Sequence, residues 1–301
     1  MAARPKRTVL ITGCSDGSLN STLALAFHAA GWRVFATARN PAKLSAALAT
    51  GIETLHLDTL SSSSSISAAV SRLSTILGPD AGLDALVNNA GAGYSIPLMD
   101  IDFDKAKEIY ELNVWSPIAV TKAFLPLLRR SKHEYGALVV NNTSIVGQAS
   151  ATVPFAGVYN SSKAAATSLT EALRLELGVL GIKVVNLVTG SVNSGFQDNK
   201  TKPELPENSP YRKVKAEVEK SIAGEGVNNG MDRERWAEEV VRELGKRNPS
   251  YWVWKGGFSA AVRVANHLPV GLLDGAMKET FGLGVVERKV QELGGPRALL
   301  D

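Results

Sequence analysis

The chain has 301 residues, of which 45% are hydrophobic and 21% are charged. These fractions are typical of a globular protein with a buried core, and they exclude a disordered, collagen-like or mucin-like chain. The formal net charge is only +4, and the charged residues are interspersed. No basic stripe for nucleic acid is therefore expected. The length favours one large α/β domain.

Residues that form disulfides or bind metals are few. Cys14 is the single cysteine, so an intramolecular disulfide is excluded and a reducing compartment is favoured. The histidines lie far apart in the sequence, at His28, His56, His133 and His267. Because metal sites need closely spaced ligands, we predict no metal site. Apolar runs are too short for a membrane span or a signal peptide, so we expect a cytoplasmic protein.

Apolar runs alternate with helical patterns through the first two thirds of the chain. Strands are predicted at residues 8–13, 33–38, 54–58, 83–89, 137–143 and 183–188. Helices are predicted at residues 21–30, 41–48, 66–77, 102–128 and 155–180. Such alternation implies parallel strands joined by right-handed crossovers. The predicted fold is therefore a doubly wound, Rossmann-type α/β sheet covered on both faces.

The composition changes after residue 190. Residues 194–229 are polar and contain three prolines, and they precede a predicted charged helix (232–246), an aromatic strand (251–254) and an apolar helix (258–277). No linker separates this part, so we assign residues 195–301 to a lid, last strand and C-terminal helix of the same domain. The aromatic strand and apolar helix are interpreted as core. Lining a lipophilic pocket or resting on a membrane is the alternative.

A glycine-containing turn follows the first predicted strand. It holds Gly13 and Gly17, and a helix begins directly after it. Backbone N–H groups at a helix N-terminus bind phosphate, and glycines let a ligand come close to the backbone. Because the turn lies in the first strand-helix unit, it favours a pyrophosphate site over an ordinary tight turn.

Tyr159 and Lys163 lie four residues apart in a predicted helix, which places a phenol and an ammonium on one face. A nearby positive charge lowers a tyrosine pKa from its usual value near 10 and makes the phenol a usable acid or base. Alone, the spacing also fits a surface pair. Ser144, at the end of the fifth strand, can hold a carbonyl oxygen. Asn113 is unusual inside a helix unless it has a partner.

Together these residues resemble the short-chain dehydrogenase/reductase family over residues 8–194. The motifs are Thr12, Gly13 and Gly17, Asp58, Asn88 to Gly91, Asn113, Ser144, Tyr159 with Lys163, and Thr189 to Val192. The resemblance implies that Tyr159 is the catalytic acid/base, that Lys163 lowers its pKa and binds the nicotinamide ribose, and that Ser144 polarises the substrate carbonyl. It also implies that Asn113 completes a water-filled proton path from Lys163.

The resemblance implies an NADP(H) site, so residues 1–194 form a dinucleotide-binding and catalytic core. The residues expected to bind the cofactor are Thr12, Gly13, Ser15, Gly17, Leu19, Arg39, Asp58, Asn89, Ala90, Gly91, Tyr159, Lys163, Val192 and Ser194. The second strand ends without an acidic residue, and Arg39 can pair with an adenosine 2′-phosphate. Asp16 is expected nearby and would repel it. We predict NADP(H), because the contact of the Arg39 guanidinium with the phosphate is charge-assisted, whereas the Asp16 side chain can turn to solvent.

The chain departs from the family pattern in the glycine turn. Where the family has Gly-Ile-Gly after Gly17, this chain has Ser18, Leu19 and Asn20. The last glycine permits close helix–strand packing. Asparagine caps helices and tolerates left-handed geometry, so weakened rather than abolished cofactor binding is expected. Thr189 stands where many members have proline. In Thr189, the aromatic strand and the segment after that strand, the chain resembles the fungal 1-acyl-dihydroxyacetone-phosphate reductases and their relatives.

The sequence predicts a reductase that transfers hydride from NADPH to the ketone or aldehyde of a lipophilic substrate, while Tyr159 donates the proton. A fungal natural-product intermediate and an acyl-dihydroxyacetone-phosphate-like lipid both fit. A redox-neutral cyclase or isomerase, an oxidative alcohol dehydrogenase and a non-catalytic, nucleotide-bound lipid-surface protein stay open. Peripheral contact with the endoplasmic reticulum or lipid droplets, and a homo-oligomer, also stay open.

Overall fold

The computed structural model describes residues 6–60, 63–194, 204–223 and 230–299. The strands are β1 (Thr8–Ile11), β2 (Arg33–Ala38), β3 (Glu53–His56), β4 (Ala85–Asn88), β5 (Leu138–Ser144), β6 (Lys183–Thr189) and β7 (Trp252–Lys255). The helices are α1 (Leu19–Ala29), α2 (Ser45–Ala49), α3 (Ser63–Leu77), α4 (Phe103–Tyr110), α5 (Ser116–Leu128), α6 (Gly157–Gly178), α7 (Lys215–Ala223), α8 (Arg233–Leu244), α9 (Ser259–Ala265), α10 (Asp274–Thr280) and α11 (Leu283–Glu292).

The strands form one parallel sheet in the order β3-β2-β1-β4-β5-β6-β7. The chain runs outward from β1 to β3, returns to β4 beside β1, and then runs outward to β7. The predicted doubly wound, Rossmann-type fold is confirmed. In such a sheet, ligands bind beyond the carboxyl ends of the strands at the point where the strand order reverses. This switch point lies between β1 and β4.

Helices bury both faces of the sheet. On one face α1 and α8 pack against the strands, and the Trp236 and Phe27 side chains are completely or almost completely buried. On the other face α3 and α5 contribute Leu73 and Phe124 to a second apolar cluster. Alternating side chains in each strand supply both clusters, which explains why the strands read as nearly continuous apolar runs.

The predicted helix at 102–128 is divided in the structure. Asp102 caps α4 by accepting hydrogen bonds from Asp104 N and Lys105 N, at 2.9 and 3.2 Å. A π-helical turn, Glu111–Trp115, then joins α4 to α5. π-Helical turns are frequent at functional sites, and this one carries Asn113. The predicted helix at 41–48 is likewise a 3₁₀ turn, Pro41–Lys43, followed by the short α2.

The single apolar helix predicted at 258–277 is wrong. The chain forms α9, a turn and α10 instead, because Pro269 in the turn lacks the N–H that a helix needs. The core interpretation is correct for β7, whose Val253 is buried, and for Val262 of α9. It is wrong for the end of α9 and the turn that follows. These apolar side chains are exposed: Val264, Leu268, Val270 and Leu272.

A third apolar cluster lies beside the carboxyl ends of the strands. Its buried members are Leu205, Val214, Val218, Ile222 and Val286. Ile96, from the loop after β4, and Phe155, from the loop before α6, pack against this cluster. Part of residues 195–301 therefore covers the functional edge of the sheet, whereas α8 and β7 belong to the core. The domain division at residue 194 stays a prediction. No helix within the described ranges is long and apolar enough to cross a membrane.

Candidate active site

The glycine turn forms the first part of the site. Gly13 and Gly17 have φ angles of +76° and +75°, in the left-handed region that favours glycine. Ser18 caps α1 by accepting a hydrogen bond from Ser21 N at 3.1 Å. The cap is thus Ser18, and Asn20 lies in the first helical turn. Backbone N–H groups of this turn have no intrahelical acceptor, so they can bind an anion.

The end of β1 is tied to the end of β4. Thr12 Oγ1 accepts hydrogen bonds from Asn89 N and Ala90 N, both at 3.0 Å. The Asn20 side chain donates to the carbonyl oxygens of Thr12 and Gly13, both at 2.9 Å. Asn20 therefore fills the place of the missing glycine with an amide that binds the turn.

The ends of β2 and β3 carry the residues expected at the adenosine. Exposed Arg39 directly follows β2, and Leu57 N bonds to Ala38 O, which brings Asp58 to the same edge. The Asp16 side chain is exposed, and its carboxylate has partners within the protein. It accepts hydrogen bonds from Ser45 Oγ at 2.5 Å and from the first N–H groups of α2. These contacts lower the Asp16 pKa, and the hydrogen bond from the Ser45 side chain contributes most. Asp16 thus caps α2.

Three candidate catalytic side chains converge where β5 ends. Ser144 is the last residue of β5, and its side chain is hydrogen-bonded to Tyr159 of α6. One turn further along α6, Lys163 Nζ lies 5.9 Å from the centre of the Tyr159 ring and donates to the Asn142 carbonyl at 2.9 Å. Gly147 lets the backbone of α6 pack closely against the loop after β5, because a Cβ there would lie 2.8 Å from the Lys163 carbonyl carbon.

The ionisation of this pair is governed by desolvation. The Tyr159 side chain is half-buried. Desolvation raises the Tyr159 pKa to about 12 and outweighs the opposing hydrogen bond with Ser144. Burial lowers the pKa of Lys163 to about 8. The expected lowering of the Tyr159 pKa is therefore wrong for this structure. The phenol is neutral and can donate a proton to an oxygen that also contacts Ser144.

Asn113 is held in the π-helical turn by three contacts. Its Nδ2 donates to Ala92 O at 2.9 Å and to Ser162 Oγ at 3.0 Å, and its Oδ1 accepts from Ala92 N at 3.0 Å. A cavity of about 10 Å³ is lined by Asn113, Lys163 and Thr170, among others. This is about the smallest space that admits one water molecule, and the expected proton path from Lys163 stays a prediction.

Comparisons with known proteins agree with this arrangement. Residues 7–205 match the family described as short chain dehydrogenase. The chain belongs to this family. It is 40% identical over 290 residues to a short-chain dehydrogenase/reductase of Pestalotiopsis microspora, covering 95% of this chain and 98% of that one. It is 34% identical over 285 residues to the NADPH-dependent 1-acyldihydroxyacetone phosphate reductase of Schizosaccharomyces pombe, covering 88% of this chain and 90% of that one.

Solved structures show the same fold. A short-chain dehydrogenase from Streptomyces avermitilis aligns with a TM-score of 0.72 at 24% identity, covering 95% of this chain and 99% of that one. A short chain dehydrogenase from Burkholderia cenocepacia, solved in complex with NADP, aligns with a TM-score of 0.68 at 20% identity, covering 90% and 97%.

The remaining predicted residues of this short-chain dehydrogenase lie on the same edge. Gly91 leaves room for its neighbours, because a Cβ there would lie 3.2 Å from Asn113 Oδ1 and 3.5 Å from Lys163 Nζ. Val192 pairs with Met231 just beyond β6, and Ser194 follows it. Leu19 begins α1, and Ser15 O accepts the Ser18 N–H. Their roles toward a cofactor stay predictions.

Sequence reasoning missed Asn142. Its backbone carbonyl holds Lys163, and its side chain contacts Asn89 and Thr189. A carbonyl contact leaves no trace in residue type, so the sequence could not reveal it. The one available signal is a polar residue inside an apolar strand pattern, since Asn142 follows Val139 and Val140 in β5.

Proposed function

We propose that this protein is an NADPH-dependent carbonyl reductase that acts on a ketone or aldehyde of a lipophilic substrate. The observation that carries the proposal is the convergence of Ser144, Tyr159 and Lys163 beside a glycine turn that can bind phosphate. The S. pombe relative is named as NADPH-dependent, and the Burkholderia structure holds NADP. Both support the choice of cofactor.

The residues present fit a phosphorylated dinucleotide. A Cβ at Gly17 would meet no atom within 4 Å, so the turn has open space above its backbone. Gly13, Gly17 and the first turn of α1 would hold the pyrophosphate. Arg39, which forms no ion pair within the described part of the chain, would hold the 2′-phosphate. When bound, the cofactor supplies the hydride.

The protein supplies orientation and a proton. The substrate carbonyl oxygen accepts hydrogen bonds from the Ser144 and Tyr159 hydroxyl groups, which polarises the bond. As the carbonyl carbon gains hydride, the oxygen takes the proton of Tyr159 and an alcohol forms. The Lys163 ammonium stabilises the phenolate that remains. Water in the cavity beside Asn113 returns a proton to Tyr159 through Lys163.

The apolar surroundings of the site support a lipophilic substrate. The third apolar cluster meets Ile96 and Phe155 at the carboxyl edge, and the Phe155 and Tyr211 rings lie edge to face at 5.9 Å. Apolar walls with a few polar groups are the usual lining of small-molecule sites. Fungal natural-product ketones and an acyl-dihydroxyacetone-phosphate-like lipid both fit this chemistry.

The experiment is product analysis with the purified protein, NADPH and a panel of ketones that includes an acyl-dihydroxyacetone phosphate. The proposal expects oxidation of NADPH and a product that has gained two hydrogen atoms. A product of unchanged mass, formed without NADPH consumption, would instead establish the redox-neutral cyclase or isomerase that the altered glycine turn leaves open. Reduction of NADP⁺ with the corresponding alcohols, but no oxidation of NADPH with the ketones, would establish an oxidative dehydrogenase.

The exposed segment after α9 supports peripheral membrane contact as a second property. Val270 is 94% exposed, and Val264, Leu268 and Leu272 in the same stretch of the sequence are exposed as well. Exposed apolar clusters of this kind mark interaction surfaces. Flotation with phospholipid vesicles should carry the protein upward, and a Val270→Glu/Leu272→Glu variant should stay at the bottom. Flotation without any turnover would favour the non-catalytic lipid-surface alternative.

A further inference from the structure

Four polar side chains form a hydrogen-bonded chain, here called the amide chain, across the carboxyl edge of the sheet: Asn20, Asn89, Asn142 and Thr189. At one end the Asn20 amide donates to the carbonyl oxygens of Thr12 and Gly13, both at 2.9 Å. Asn89 Nδ2 then donates to Asn20 Oδ1, and Asn142 Nδ2 donates to Asn89 Oδ1. At the other end Thr189 Oγ1 donates to Asn142 Oδ1 at 2.5 Å. The amide chain thus runs from the glycine turn through β4 and β5 to β6.

The direction of the amide chain is set at the glycine turn. The carbonyl oxygens of Thr12 and Gly13 can only accept hydrogen bonds, so the Asn20 side-chain nitrogen must face them. The Asn20 side-chain oxygen then faces Asn89, and each following amide must present its nitrogen to the side-chain oxygen of the preceding asparagine. Turning Asn142 alone would let its nitrogen donate to Thr189 Oγ1 at 2.5 Å, to Leu187 O at 3.1 Å and to Thr143 O at 3.2 Å, but its oxygen would face Asn89 Oδ1. Turning the others to match would place the Asn20 oxygen against both carbonyls. With the Thr189 hydroxyl as first donor, every contact between members of the amide chain pairs a donor with an acceptor, although Asn142 Oδ1 then also lies 3.1 Å from Leu187 O and 3.2 Å from Thr143 O, which are both acceptors.

The amide chain lies on one face of the sheet only. The neighbouring residues Asn88 and Asn141 point to the opposite face, where Asn88 Nδ2 donates to Asn141 Oδ1 at 2.8 Å. Asn89 and Thr189 are 6% and 8% exposed, and Asn20 and Asn142 are partly buried, so water has limited access to replace a lost partner. In a buried polar network the loss of one member leaves the next one unsatisfied, which makes the members interdependent.

The amide chain also meets the catalytic groups. The main-chain carbonyl of Asn142 accepts the Lys163 Nζ hydrogen bond at 2.9 Å, and Ser144 is two residues further along β5. In the β5–β6 register, Ser144 lies opposite Thr189. The strand that carries Ser144 and anchors Lys163 is therefore linked by side chains to the turn expected to hold the pyrophosphate.

The two ends of the amide chain are two positions where this sequence departs from the family pattern. Glycine at position 20 could not donate to the turn, and proline at position 189 could not donate to Asn142. We propose that Asn20 and Thr189 are coupled positioning residues: through Asn89 and Asn142 they hold the glycine turn in register with the catalytic strand. This inference rests on the proposed NADPH use.

The test is a double-mutant cycle read out as the Kd of NADPH, measured by fluorescence titration without substrate. The variants are Asn20→Gly, Thr189→Val and their combination, with Thr189→Ser as the conservative variant that keeps the hydroxyl. Thr8→Val is the matched control. Thr8 is 7% exposed and its hydroxyl bonds to Asp84 at the amino edge of the sheet. Thermal unfolding verifies that each variant is folded.

We expect each single loss to weaken NADPH binding by about 3- to 10-fold, as for one net hydrogen bond. The combined variant should bind no more weakly than the weaker single variant, while Thr189→Ser and Thr8→Val should bind like the wild type. Losses that multiply in the combined variant, or tighter binding by Asn20→Gly, would overturn the coupling. A wild-type protein that binds no NADPH would instead overturn the proposed function.

Discussion

Replacing Arg39 with alanine tests the assignment of the cofactor. Arg39 is exposed at the carboxyl end of β2 and forms no ion pair with any described residue. Its guanidinium is therefore available to a 2′-phosphate, which NADPH has and NADH lacks. Asp16, expected to repel that phosphate, is occupied by Ser45 and the first turn of α2. The expected result is a loss of affinity for NADPH alone.

The size of the effect follows from the type of contact. A hydrogen bond to a charged group contributes about 1.5–3 kcal/mol, and every 1.4 kcal/mol is a factor of ten in Kd. Because Arg39 is exposed, solvent screening holds the effect at the low end. We therefore expect the Kd of NADPH to rise about tenfold in Arg39→Ala at low salt, and by less at high salt because counterions screen the contact.

The assay is fluorescence titration of both dinucleotides at two ionic strengths. Arg33→Ala is the matched control, because Arg33 starts the same strand but pairs with Glu53 at 2.7 Å, at the other end of the sheet. It removes the same charge from the protein and should leave the NADPH/NADH ratio unchanged. An equal change in both affinities in Arg39→Ala would refute the phosphate assignment.

Four further results are expected. Tyr159→Phe should bind NADPH normally but lose about 10²- to 10⁴-fold in kcat, since it lacks the proton donor. The control Tyr110→Phe, which loses a hydroxyl contact to the same helix, should keep its kcat. Normal turnover by Tyr159→Phe would contradict the mechanism. Burial lowers the pKa of Lys163 to about 8, so the ammonium is present below that pH and kcat for reduction should fall as the pH rises through it; a flat profile would exclude this role. Asp16→Ala should lower the free energy of unfolding by about 1 kcal/mol through loss of the α2 cap, seen as a fall of about 2 °C in Tm; an unchanged Tm would show that the cap adds nothing. Burial raises the pKa of the Cys14 thiol to about 12, so a thiol reagent should label it only after unfolding, and rapid labelling of the native protein would contradict its burial.

The doubly wound parallel sheet and most elements of the core were predictable because their signals are local. Apolar runs separated by helical patterns specify parallel strands, and right-handed crossovers then restrict the topology. The positions of Ser144, Tyr159 and Lys163 followed from the same reasoning, since strand ends and one helical face meet at one edge. The helix boundaries differ from prediction by a few residues, as at Gly157, where a positive φ of 60° at Phe155 precedes α6.

Features that depend on tertiary contacts were not predictable. The π-helical turn at Asn113 has no sequence signal, and its amide is satisfied by Ala92 and Ser162 from two other segments. Asn20 was expected to act as a local cap, yet its partners are the preceding turn and Asn89 on β4. A side chain that crosses between elements is set by packing, which single-sequence patterns do not encode.

The ionisation of Tyr159 and Lys163 differs from what their spacing predicts. The spacing predicted that the charge on Lys163 lowers the Tyr159 pKa. Desolvation instead favours the neutral form of each group, since it raises the pKa of Tyr159 to about 12 and lowers the pKa of Lys163 to about 8. A reductase needs a protonated phenol before turnover, whereas an alcohol dehydrogenase needs a phenolate to accept a proton. Tyr159 is therefore protonated near neutral pH, the form that donates a proton to a carbonyl oxygen, but a tyrosine of ordinary pKa would be protonated there as well, so the direction of the reaction is decided by the product analysis proposed above.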